Sequence, residues 1–136
     1  MRRVVSSAAL AVALLVSAAA CGSSGSSKPK QPTSDAQLEI VAPTVGAVVK
    51  GPDVRFAAKL TGGEIVPASQ TTGPLRGDQG HIHVSVDNQL ITMAYNSTTT
   101  LHGLTKGPHT IEAEYVATNH LPFANRILAS VTFTVT

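Results

Sequence analysis

Two histidines one residue apart, His81 and His83, stand in the segment Gly80-His81-Ile82-His83-Val84-Ser85-Val86-Asp87. Ile82, Val84 and Val86 alternate with His81, His83 and Ser85. That period of two marks a strand with one apolar face and one face carrying imidazoles. Residues i and i+2 of a strand project from the same side about 7 Å apart. Two imidazoles so placed can share a metal ion if a third ligand arrives from another element. The chain has 5 histidines. His120, on a loop before the last strand, is the best-placed third ligand, and His109, at the start of another strand, could join. Imidazoles without cysteine suit copper, zinc or nickel, and the affinity order favours copper. Met93 offers a soft thioether, although its pattern is that of a core methionine.

The same residues have a purely structural reading. His109 can cap a turn, His120-Leu121-Pro122 can lock a loop, His81 and His83 can hydrogen-bond across a sheet, and His102 reads as a turn residue. Catalysis has less support. Ser85 lies two residues from His83 on a rigid strand and cannot pair with it as nucleophile and base. No Gly-x-Ser-x-Gly elbow, paired catalytic carboxylates or phosphate-cradling loop is present. No catalytic residue is assigned, and the chain is expected not to be an enzyme.

The strands that must position these histidines follow a leader. Met1-Arg2-Arg3 is a short positive region, and Val4 to Ala20 is uncharged and rich in Ala, Val and Leu, the pattern of a secretory signal peptide. The single cysteine, Cys21, stands where the apolar run stops. Gly22 to Ser34, GSSGSSKPKQPTS, holds no apolar residue larger than proline and reads as a flexible tether. The formal charge of +2 includes Arg2 and Arg3; without them 8 basic residues face 8 acidic ones. The mature chain is near neutral and shows no basic stripe, so no nucleic-acid partner is expected.

Ala18-Ala19-Ala20-Cys21 resembles the lipobox of bacterial lipoproteins, with Ala18 where that motif has Leu, Val or Ile. The resemblance implies acylation of Cys21, a membrane partner through the lipid anchor, and an extracytoplasmic location on the outer face of the cell membrane. At least two acyl chains are implied, enough for stable attachment where one is marginal. Three regions follow: a signal peptide at 1–20, lipidated cysteine and tether at 21–34, and a folded domain at 35–136.

Within the domain, Leu38 and Ile40 begin a strand ending at Pro43. Thr44 to Ala47 is a turn before Val48 and Val49, and Gly51-Pro52-Asp53 is another. Val54, Phe56, Ala58 and Leu60 alternate in a strand broken by Gly62-Gly63. Ile65-Val66 is a short edge strand closed by Pro67, and Ala68 to Gln79 reads as a long surface loop. The histidine strand turns at Asp87-Asn88 into a partner strand, Leu90 to Tyr95. Leu101 and Leu104 plug one end of the core. A strand from His109 buries Ile111, Ala113 and Tyr115. A loop from Thr118 to Asn125 leads to the last strand, with Ala129, Val131, Phe133 and Val135 inward. About seven short strands with turns every 8–12 residues or so predict an all-β, antiparallel sandwich. Short connections are expected to make neighbouring strands antiparallel.

Leu104 to Ile111 followed by Val131 to Val135 resembles the end of a bacterial immunoglobulin-like domain. The order from the Val54-Arg55-Phe56 strand through Gly80-His81-x-His83, Asp87, Gly107-x-His109 and His120-x-Pro122 is similar to a family of small exported bacterial domains of unknown function. That family's strand carries a third histidine where this chain has Ile82. These resemblances imply an immunoglobulin-like β-sandwich and bring no activity with them. The expected function is a non-enzymatic binding or interaction module of the cell envelope, with an envelope protein or small ligand as partner. The alternative is a lipoprotein binding copper or zinc through His81, His83 and His120.

Overall fold

Among the described residues the alternating apolar positions form nine strands, β1 (Gln37–Ala42), β2 (Val48–Val49), β3 (Val54–Thr61), β4 (Glu64–Ile65), β5 (Gln79–Val86), β6 (Gln89–Ala94), β7 (Thr98–Leu101), β8 (Gly107–Ala117) and β9 (Pro122–Val135). The computed structural model describes residues 30–67 and 73–136. The leader at 1–20, Cys21, residues 22–29 of the tether and residues 68–72 of the long loop lie outside the described residues.

The strands make two sheets. One has the order β1-β3-β7; the other has β2-β9-β8-β5, with β4 and β6 both pairing with β5. A three-stranded sheet facing β9-β8-β5-β6 is the immunoglobulin-like arrangement. Val54, Phe56, Ala58 and Leu101 from the first sheet meet Ile82, Val84, Ile111, Ala113, Tyr115, Val131 and Phe133 from the second in one buried cluster. Each contributes every second residue of its strand, as a two-layer core requires.

Four details depart from the sequence expectation. Thr98–Leu101, whose threonines carry no apolar alternation and are not expected as a strand, pairs with β3 and completes the first sheet. The β4–β5 pair is parallel, although the two strands are consecutive. The expectation of antiparallel neighbours assumed a short connection, and the long loop between these strands is long enough to return the chain to the same end. β2 also pairs parallel, with β9. Finally, residues 32–34, assigned to the tether, are held against β9. The Ala124 N–H donates to the Pro32 carbonyl at 2.9 Å, and Ser34 and Asn125 exchange two hydrogen bonds of 3.0 and 2.7 Å. Backbone pairing orders these residues without an apolar side chain.

The turn between β5 and β6 fixes the register of the histidine strand. Asp87 and Asn88 have φ of 50° and 67°, the left-handed pair of a two-residue hairpin turn that Asn and Asp tolerate best. The Asp87 carboxylate accepts the Thr110 N–H at 2.9 Å and His109 Nδ1–H at 2.7 Å. The hairpin is thereby fastened to β8.

Candidate metal centre

β5 lies between β8 on one side and β4 and β6 on the other, so His81 and His83 sit on a strand with little freedom to move. Gly80 sets how close β5 comes to β8. A Cβ there would collide with the Val116 carbonyl oxygen, so no other residue fits without displacing the strand. His81 projects from the face opposite the core, yet it is only 2% exposed. Its register partner on β8, Val116, is fully buried. Tyr95, just past the end of β6, stacks on the His81 ring with centroids 4.8 Å apart and planes inclined by 28°.

The His83 and His120 rings also lie against His81. The β8–β9 connection is a tight turn in which the Ala117 N–H donates to the Leu121 carbonyl at 3.0 Å and the His120 N–H to the Ala117 carbonyl at 2.9 Å. The Leu121 N–H donates to Asn119 Oδ1 at 3.2 Å. His120 takes φ +64° in this turn. β9 begins at Pro122, inside the loop expected to run to Asn125, because Pro122 pairs with Val116 across an irregular register. The turn carries the His120 ring to 4.6 Å from that of His81, edge to face, and to 6.0 Å from that of His83.

The three imidazoles converge. His81 Nε2 and His83 Nε2 are 3.1 Å apart, and one nitrogen from each of His81, His83 and His120 lies within 4.8 Å of the others. Nitrogens bound to one tetrahedral metal at about 2.0–2.1 Å stand about 3.3 Å apart. The two strand histidines already have about that spacing, and no pair in the trio exceeds 4.8 Å. His120 Nδ1 is buried and has no hydrogen-bond partner among the described residues. A buried nitrogen without a partner is costly unless something binds it.

The electrostatics suit a ligand set. Burial, reinforced by the neighbouring imidazoles of His83 and His120, lowers the His81 pKa to about 4. Burial and His120 also lower that of His83, against a weaker opposing pull from Glu114. Metal-binding imidazoles must be unprotonated, and at neutral pH these two are so already. On β8, Glu114 is the register partner of His83; both its oxygens accept from Arg126, at 2.7 and 2.8 Å. On β6, Met93 is the other partner of His83. Met93 is 39% exposed, so it is not the core methionine that its pattern suggested. It lies on the outer face with the histidines.

His109 does not join them. Its Nδ1–H donates to Asp87, and its Nε2–H donates to the Thr105 carbonyl at 2.7 Å. Both partners are acceptors, so both nitrogens carry protons and the ring is held as a cation. The Thr105 carbonyl, the Asp87 hydrogen bond and its charge raise its pKa. This His–Asp pair leaves no nitrogen free for catalysis or a metal. His102 is exposed and stands 3.1 Å from Asp53 on the surface.

Tyr95 is the residue of the site that sequence reasoning missed. Its position two residues after Met93 places it beside His81 once the β5–β6 register is known, and that register is not legible without the structure.

No family model matches this chain, and no curated protein matches it. Among solved structures, it is similar in shape to the fibronectin(III)-like modules of Clostridium thermocellum CbhA, at 14% identity over 73% of this chain and 94% of that one, TM-score 0.49. It is similar to the PKD domain of human KIAA0319, at 16% identity over 85% and 92%, TM-score 0.44. The CARDB domain of PF1109 from Pyrococcus furiosus is similar at 17% identity over 78% and 98%, TM-score 0.44.

Proposed function

We propose that this domain is a metal-binding module of the cell envelope, with His81, His83 and His120 as three imidazole ligands. The observation that carries the reading is the convergence of three ring nitrogens within 4.8 Å of one another. Two come from a strand paired on both sides and one from a tight turn, with Tyr95 stacked on His81. Hydrogen bonds to Asp87 and Thr105 account for His109, and His102 stands beside Asp53 on the surface; within the trio His81 and His83 bond to each other, and the buried His120 Nδ1 has no partner among the described residues. Three imidazoles with a further position open are a donor set for copper or zinc. The lipid anchor at Cys21 displays the module outside the cytoplasmic membrane.

Calorimetric titration of the full chain with Zn(II) and Cu(II) tests the site. One saturable site is expected, and His83→Ala or His120→Ala should remove it with the thermal unfolding of the metal-free protein little changed. Absence of saturable binding, or binding indifferent to both substitutions, overturns the reading. The anchor has its own test: Cys21→Ser should abolish acyl labelling and release from the leader.

A further inference from the structure

The surroundings of the three imidazoles distinguish between metals. His83 has one register partner on each side, Glu114 on β8 and Met93 on β6. These are the hard and the soft donor nearest to it along the sheet. Facing residues of neighbouring strands have Cβ atoms about 4.5–5.5 Å apart, within reach of a long side chain. The hard donor is engaged. Arg126 holds both Glu114 oxygens, and the Glu114 side chain is only 13% exposed. Recruiting it to a metal would break a two-pronged, charge-assisted pair.

The soft donor is available. Met93 lies on the outer face, and its Sδ is 3.9 Å from the Tyr95 hydroxyl, which donates to it. Tyr95 is also the ring stacked on His81. One side chain therefore stacks on the histidine cluster through its ring and meets the thioether through its hydroxyl. Thioether sulfur selects copper, above all Cu(I), whereas zinc and the harder ions gain little from it.

We propose that the site takes copper and that Met93 is its fourth ligand, binding Cu(I) through Sδ and leaving Zn(II) binding to the three imidazoles alone. This rests on the three-histidine reading above. Binding is a ligand exchange without electron transfer: Cu(I) arrives from a donor complex, loses that donor's ligands and gains three nitrogens and one sulfur.

The test measures Cu(I) by competition with bicinchoninate under anaerobic, reducing conditions and Zn(II) by competition with a chromogenic chelator. Both use the full chain with Cys21→Ser, so that the other soft sulfur is absent. Met93→Leu keeps the shape of the side chain and removes the donor. It should weaken Cu(I) binding by about tenfold or more, leave Zn(II) affinity within about twofold, and remove the sulfur contribution from the X-ray absorption of the Cu(I)-loaded protein. Unchanged Cu(I) affinity, or an equal loss for both metals, overturns the role of Met93 while the three-histidine site stands. Failure of both metals to bind with Met93 in place overturns the underlying reading as well.

Discussion

Tyr95 lies flat against His81, with ring centroids 4.8 Å apart, on the outer face of the sheet. Removing that ring should restore hydration to the charged form. In the metal-free protein, His81 is expected to titrate at about 4, and Tyr95→Ala should move it up towards 6.5. NMR titration of the imidazole Cε1 protons reads both. The sign for stability follows: the unfolded chain binds this proton below about 6.5 and the folded chain only near 4, so burial of His81 costs stability as pH falls through that interval. An apparent pKa of 6 or above before substitution would contradict the burial argument.

His109 is expected to behave in the opposite way. Its folded pKa lies above 6.5 and that of Asp87 below 3.8. The histidine's contribution is complete below 6.5 and is lost as pH rises through its folded pKa. The carboxylate's is complete above 3.8 and is lost as pH falls through its own. The pair therefore stabilises the hairpin between those limits. A double-mutant cycle with Asp87→Asn and His109→Gln should show coupling at about pH 5.5 that declines as pH rises through the folded pKa of His109. Coupling independent of pH would mean that the imidazole is not charged in this pair.

Gly80→Ala should destabilise the domain by about 1–3 kcal/mol or more, the usual cost of overpacking, because its Cβ meets the Val116 carbonyl oxygen. Thermal unfolding of the metal-free protein measures this. Metal affinity should fall in any fraction that folds, since His81 moves with the strand.

Tyr115→Phe should cost about 1 kcal/mol. The hydroxyl donates to the Glu64 carbonyl at 2.8 Å, and burial pushes its pKa up to about 12. This bond ties β4 to the core, so hydrogen exchange should accelerate at the amides of Glu64 and Val66 and change little in β8.

The strands were legible where alternation was strong, as in β3, β5, β8 and β9. Phe56 and Tyr115 fall on the buried side as their spacing demands. Thr98–Leu101 escaped because a threonine run has strand propensity but no apolar alternation, and its partner β3 lies far away in sequence. The convergence of His81 and His83 is local and follows from strand geometry. That of His120 depends on a turn and an irregular β8–β9 register, both set by long-range pairing. His109 shows the converse: spacing admits it as a ligand, and only the positions of Asp87 and Thr105 reveal that its nitrogens are spent.

At His120 the fold and the ligand set favour different residues. Its backbone occupies the left-handed region at φ +64°, where glycine and asparagine are more comfortable than a residue with a bulky side chain. His120→Asn or His120→Gly would relax the turn and delete the third imidazole together. Selection for a more robust fold would thus steadily erode the site, and stabilised variants obtained by screening for heat resistance alone should accumulate changes at this position. Screening in the presence of the ion would reverse that pressure, because occupancy rewards the histidine with the ion's own binding energy.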